Sequence, residues 1–230
     1  MNELLWLSFA VLDLTMVVVL FRLFGKPALY GLIVFNLLLC NIQVLKTIEL
    51  FGFTTTLGNV LYASVFLATD LLGEFYGKDA AKKGVLLGFA VLVMATVYMQ
   101  IAMQFTPSAD DFVQPHLEAI FGLLPRLALA SLAAYLVSQL HDIWAYHFWR
   151  KRTGEGKLWL RNNLSTLVSQ LLDSAIFCLI AFWGVFETPV LIEILITTYL
   201  FKAFVAALDT PFIYLAKRVV SRERAAASAS

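Results

Sequence analysis

Residues 164–186, LSTLVSQLLDSAIFCLIAFWGVF, decide how the whole chain is read. The stretch is long and apolar enough to cross a bilayer, which takes about 20 residues. It nevertheless carries Ser165, Thr166, Gln170 and Asp173. With Asn163 just ahead of it, Asn163, Thr166, Gln170, Asp173 and Phe177 step by three, four, three and four, so they share one helix face. Asp173 falls roughly 14 Å into the helix, near mid-membrane depth. A charged side chain there costs about 2.5–3.5 kcal/mol, so it faces a partner or a polar cavity. Interhelical hydrogen bonding by Ser, Thr and Gln accounts for part of this stripe, but not for a carboxylate at that depth.

The rest of the chain fits the same reading. Apolar residues make up 60% of it and charged ones 14%, against about 25% charge in a soluble domain. The expected fold is an all-α polytopic membrane protein, a single domain over 1–220, with a small polar tail, 221–230, read as disordered. About seven candidate spans cover 4–24, 28–48, 56–75, 81–105, 119–145, 164–186 and 190–216. Basic residues gather after the third and fifth spans and at the C-terminus, as Lys78, Lys82, Lys83, Arg150, Lys151, Arg152, Lys217 and Arg218. Asp110, Asp111, Glu118 and Glu187 lie in the alternate connections. The positive-inside bias then puts the N-terminus outside and the C-terminus in the cytoplasm. The first apolar run lacks a basic leader and a small-residue cleavage site, so it reads as a retained span. Cys40 and Cys178 sit in apolar runs and read as packing residues. No P-loop pattern occurs, so ATP would have to be used by another subunit.

Three further constellations carry polar groups into apolar segments. Tyr62, Phe66, Asp70 and Glu74 recur at intervals of four. Two carboxylates one turn apart favour a proton or a cation, although a helix end in interfacial water explains them as well. Thr198, Lys202 and Asp209 share a face of the last span, and the bland account of Lys202 is a cross-helix pair with Asp173. Asn36, Cys40, Gln43 and Thr47 follow helical spacing on the second span, with Asn41 beside them, and serve equally as packing glue or as a site. His141, Asp142, Trp144 and His147 invite a metal reading. The two histidines face different ways, which favours interfacial anchoring, and no metal or cofactor is expected. Ala130 and Ala134 make a small-residue pair suited to close helix packing. No nucleophile elbow or catalytic triad spacing is present, so no catalytic residue is assigned and an enzyme is not expected.

Several of these stretches together resemble the VUT family, the queuosine precursor transporters. They are Phe66-Leu-Ala-Thr-Asp70-Leu-Leu-Gly-Glu74-Phe-Tyr-Gly77, Gln139-Leu-His-Asp142, Arg161-Asn-Asn-Leu-Ser-Thr166-Leu-Val-Ser-Gln170-Leu-Leu-Asp173, Tyr199-Leu-Phe-Lys202 and Leu208-Asp209-Thr-Pro211. The resemblance runs from about Phe35 to Val219. It implies a six-helix core preceded here by one extra N-terminal helix, in a bacterial inner membrane. It also implies import of 7-deazaguanine bases such as preQ0 and preQ1 for queuosine salvage, with no direct nucleic-acid contact and no ATPase subunit. A homodimer is left open.

The chemistry of the residues suits that cargo. A carboxylate accepts the ring N–H and the amine of a guanine-like edge together. Asn163 and Gln170 offer both donors and acceptors, and Tyr62, Phe66 and Phe177 offer stacking faces. Asp173 or Asp70 is expected to read the amine side, leaving the other for a proton or a cationic aminomethyl group. The substrate set is completed by Asn41, Thr166, Glu74, Asp142, Lys202 and Asp209. Two rivals stand beside this reading. One is a substrate-capture subunit of an energy-coupling factor transporter for a vitamin-like base, and the other is a membrane enzyme or assembly factor.

Overall fold

The computed structural model describes the backbone of residues 1–153 and 158–228. Side chains at 139, 142–143, 146–147, 149–166, 205–210, 213, 217 and 219–230 lie outside the described residues. Helices α1 (Asn2–Phe24) and α2 (Lys26–Gln43) meet at Gly25. A β-hairpin of β1 (Thr47–Leu50) and β2 (Phe53–Thr56) follows, then a 3-10 turn, Leu57–Val60. Next come α3 (Tyr62–Tyr76), α4 (Lys78–Ala102), the short α5 (Gln114–Phe121), α6 (Leu124–Thr153), α7 (Leu158–Phe182) and α8 (Thr188–Ser228). The helix of α8 continues to Ser228, over positions whose small polar composition reads as a tail.

Among the described residues, four helical stretches are long and apolar enough to cross a membrane: Asn2–Phe24, Lys26–Gln43, Lys78–Ala102 and Gln114–Ser138. A shorter apolar helix covers Leu167–Phe182. Much of α7 and α8 lies outside the described side chains, so of the seven spans read from the sequence it is the third that the structure visibly shortens. The second and third candidate spans lose their facing ends, since 47–56 pair as Thr47↔Thr56 through Leu50↔Phe53. Phe51 and Gly52 both adopt positive φ, 55° and 82°, in the two-residue connection that matches the twist of a hairpin. The β-branched run of Ile48, Thr54, Thr55 and Thr56 favours extended backbone over helix. That leaves α3 with 15 residues.

The helices form two groups. Leu14, Val17 and Phe21 of α1, Leu29, Ile33 and Leu37 of α2, and Leu67, Leu71 and Leu72 of α3 share one buried cluster. Leu127, Ala130 and Ala134 of α6, Phe177 and Phe182 of α7, and Leu191 and Ile194 of α8 share the second. Outside both, Leu4, Leu86, Val93, Leu129, Leu136 and Leu200 are exposed, as side chains facing lipid would be. Arg126 closes the end of α7 by donating to the carbonyls of Ile180 and Trp183. The hairpin is tied to α8 where Thr197 donates to Thr54 O at 3.2 Å, and the 3-10 turn where Asn59 Nδ2 donates to Thr198 Oγ1 at 3.2 Å.

Gly58, in the 3-10 turn, allows that corner to rest on the end of α2. A Cβ there would meet Cys40 O at 2.4 Å and Val44 N at 2.9 Å, both of them backbone. Gly58→Ala is therefore expected to cost about 1–3 kcal/mol through overpacking. The check is thermal unfolding of the detergent-solubilised chain. An unchanged melting temperature would mean that the corner is free to move away from α2.

Candidate functional site

A cavity of about 340 Å³ lies where the two helix groups meet. Its wall is built from Ile33 and Leu37 of α2, Tyr62, Val65, Phe66 and Thr69 of α3, and Phe89 of α4. Opposite stand Ser131, Ala134, Tyr135 and Ser138 of α6, with Ser169, Gln170, Asp173 and Phe177 of α7. Lys78 and Lys82 of α4, both exposed, line it at one end. The volume falls within the usual range of small-molecule sites, about 300–1,000 Å³.

The strongest interaction at this cavity is the ion pair between Lys202 Nζ of α8 and Asp173 Oδ2 of α7, at 2.5 Å. The lysine side chain is 3% exposed, whereas the aspartate is 23% exposed and reaches the cavity surface. Lys202 Nζ also lies 4.9 Å from the centroid of the Tyr62 ring, a cation–π contact that ties α8 to α3. The other carboxylate oxygen, Asp173 Oδ1, receives a long 3.4 Å contact from Ser138 Oγ. One oxygen is thus held by the ammonium, while the second is weakly held and faces the cavity.

Aromatic rings flank the carboxylate. Tyr62 and Phe66 stack with centroids 6.1 Å apart, and Phe177 packs edge-on to Phe182 at 5.8 Å. Phe89 of α4 lies 5.1 Å from Tyr135 of α6, where the two walls meet. Behind the wall, Asn41 is 1% exposed, accepts from Ser131 Oγ at 3.0 Å and donates to Leu37 O at 2.8 Å. It braces α2 against α6 and does not line the cavity. His141 Nδ1 lies 3.0 Å from Ser169 Oγ, which orients that wall serine.

The structure thus brings together Tyr62, Phe66, Gln170, Asp173, Phe177 and Lys202 from the sequence-derived set. Asp70 and Glu74 are exposed and do not line the cavity. Spacing by four explains the difference, because each step overshoots a helical turn by about 40°. From Tyr62, Asp70 has drifted about 80° around α3 and Glu74 about 120°. Val65 and Thr69 hold the cavity face instead. The side chains of Asp142, Asn163, Thr166 and Asp209 lie outside the described residues. Sequence reasoning missed the α6 wall: Ser131, Ala134, Tyr135 and Ser138 have the spacing of one helix face, but only the small residues drew attention there. Among the described residues no cluster of three or more His, Cys, Asp or Glu is suited to a metal ion.

Several apolar helices around a solute-sized cavity, with a buried ion pair at its wall, are the features of a polytopic membrane protein. A family model described as "Putative vitamin uptake transporter" matches residues 56–216, and the chain belongs to that family. It is 43% identical over 223 residues to the "Probable queuosine precursor transporter" of Bacillus subtilis (strain 168), covering 96% of this chain and 97% of that one. It is 30% identical to the "Queuosine precursor transporter" of Escherichia coli (strain K12), covering 78% of this chain and 81% of that one. No solved structure matches it. With these relatives and its apolar helices, the chain is a multi-pass bacterial membrane protein.

The unequal burial of the pair sets an unequal response to mutation. Asp173→Asn leaves a buried ammonium without a counter-charge, which costs on the order of 3 kcal/mol. Lys202→Met leaves a carboxylate that the cavity can hydrate, and is expected to cost less. The double variant should recover much of the Asp173→Asn loss in a double-mutant cycle of thermal stability. Strict additivity of the two changes would rule the pair out as an energetic unit.

Proposed function

We propose that this chain imports queuosine precursors, 7-deazaguanine bases such as preQ0 and preQ1, for salvage of the modified tRNA base. The observation that carries the reading is the Asp173 carboxylate, half engaged by Lys202 and presented to a cavity with aromatic walls. The names of the B. subtilis and E. coli relatives support it. Asp173 Oδ1 accepts from the exocyclic amine of the base, and Gln170 reads the remaining polar edge through its amide. Phe66 and Phe177 flank the ring plane, and Tyr62 shares its face between the base and the Lys202 ammonium. Each of these contacts is neutral or compensated, so the neutral ring system of the base enters without leaving a bare charge behind on the protein.

In this reading the N-terminus is outside and the C-terminus cytoplasmic, with seven spans counting α3, α7 and α8. The exposed Lys78 and Lys82 then mark the cytoplasmic mouth, while the hairpin and its bonds to α8 close the outer end. The chain acts as a carrier and not as an enzyme. It needs no ATPase subunit, which separates it from an energy-coupling factor capture subunit.

The deciding experiment uses a strain that cannot make queuosine precursors and lacks its own carrier, fed preQ0 or preQ1 at nanomolar concentration. Expression of this chain alone should restore queuosine in tRNA. Asp173→Asn should lower labelled-base uptake at least about tenfold, the loss of one charged hydrogen bond. Phe66→Ala should weaken apparent affinity by about two- to tenfold, as removal of a stacking partner does. Wild-type uptake that appeared only with an added ATPase would instead support the capture-subunit reading. Conversion of the base during uptake would support an enzyme.

A further inference from the structure

Asp13 takes no part in the cavity, yet it lies midway along α1, about 16 Å of helix from either end. Its Oδ1 accepts one long hydrogen bond, 3.4 Å, from Asn36 Nδ2 of α2. The same amide nitrogen donates to Ser64 Oγ of α3 at 2.6 Å, and Ser64 donates to Leu61 O at 2.9 Å. Asn36 and Ser64 are 1% and 0% exposed. Asp13 Oδ2 is buried and bonds to no described group. An intramembrane carboxylate with so little compensation is held for a purpose more often than for stability.

The elements packed on α1 supply no described counter-charge at that depth. On α1 itself Glu3 and Arg22 lie about 15 Å and 14 Å away along the axis. From α2, Cys40 is a neutral thiol donating to Leu37 O, and Lys26 at the helix start lies over the rings of Tyr30 and Tyr76. From α3, Asp70 and Glu74 are exposed, and the Tyr62 ring faces Lys202. From β1, Glu49 sits where Asn2 of the α1 start reaches its carbonyl. From α8, Lys202 is engaged by Asp173, and the Asp209 side chain lies outside the described residues. The 3-10 turn carries no charged residue.

The groups facing Asp13 are the Asn36 amide N–H and, beyond it, the Ser64 hydroxyl, whose proton is given to Leu61 O; a donor N–H holds a carboxyl oxygen and repels a metal cation. The ligand that suits the remaining oxygen is therefore a proton. The cluster also lies directly behind the cavity wall. Ser64 stands about 200° around α3 from Tyr62, so α3 presents the cavity on one face and Asp13's partner on the other. Asn36 and the cavity residues Ile33 and Leu37 share α2 in the same way.

We propose that Asp13 is a proton-binding site that couples uptake to the proton gradient. It is loaded as the neutral carboxyl from outside and released as carboxylate plus proton inside, with the change in its hold on Asn36 and Ser64 moving α2 and α3 around the cavity. One proton enters with each cycle. The inference rests on the reading of the chain as a carrier, but not on which base it carries.

Two measurements on the full chain test it separately from the substrate. In proteoliposomes, wild type should accumulate labelled preQ1 when given an inward proton gradient and should also exchange it at equal pH. Asp13→Asn should keep exchange within about twofold while its gradient-driven accumulation falls at least about tenfold, to the equilibrated level. In the substrate-free wild type, dicyclohexylcarbodiimide, which modifies protonated carboxyls in apolar surroundings, should label the Asp13 peptide, and labelling should decline as pH rises. Undiminished accumulation by Asp13→Asn overturns the proposal. So does loss of exchange together with accumulation, or a wild-type Asp13 left unlabelled at every pH. Wild type that exchanges no 7-deazaguanine would sink the substrate reading instead, and the labelling would still decide whether Asp13 takes a proton.

Discussion

An ammonium group buried to 4% exposure in an apolar helix bundle has to be compensated, and the arrangement around Lys202 follows from that need. Its carboxylate partner comes from α7 and its aromatic partner from α3, so three helices from both halves of the bundle are drawn to one point. The carboxylate keeps a share of its surface in the cavity, where water or a polar solute completes its solvation. A site for a polar ligand is thus a by-product of the way the charge is made tolerable. On the α6 side the cavity is lined by the small Ser131, Ala134 and Ser138 together with Tyr135, whose ring packs on Phe89.

Lys202 also links the cavity to the outer end of the protein. Thr198 lies one turn before it on α8 and accepts from Asn59, and Thr197 donates to the hairpin carbonyl of Thr54. These are neutral bonds, each worth about 1 kcal/mol net, so they are easily exchanged. The buried ion pair is the stiffer element. Any solute that competes with Lys202 for Asp173 would loosen the helix that carries the outer bonds. The opposite end presents the exposed Lys78 and Lys82 to the cavity mouth.

The membrane class and the polar face of α7 were legible because a carboxylate in an apolar run has few harmless explanations. The pairing of Lys202 with Asp173 was also legible as an alternative, since two opposite charges at similar depth invite it. Other parts were harder to read for physical reasons. The hairpin carries a single charge, Glu49, among Thr, Ile, Leu, Phe and Gly, so its two outer ends, 47–48 and 56, read as parts of the adjoining spans. On α3, regular spacing by four hid a steady rotation that takes Asp70 and Glu74 off the cavity face. Asp13 was passed over because its helix read as an addition to a six-helix core, although a lone aspartate midway along such a run was the signal.

The two intramembrane carboxylates differ in the one respect that decides what each can do. Asp173 has a fixed cation beside it, so its charge is balanced and its free oxygen serves to recognise a donor on a solute. Asp13 has only an amide and a distant hydroxyl, so its charge is balanced by no described group and is most readily removed by a proton. Placing the compensated carboxylate at the cavity and the uncompensated one behind its wall keeps substrate recognition from depending directly on proton occupancy. The two are joined instead through α2 and α3, whose opposite faces touch both sites. Coupling in such a protein is then a matter of how rigidly those two helices carry a change at one face to the other.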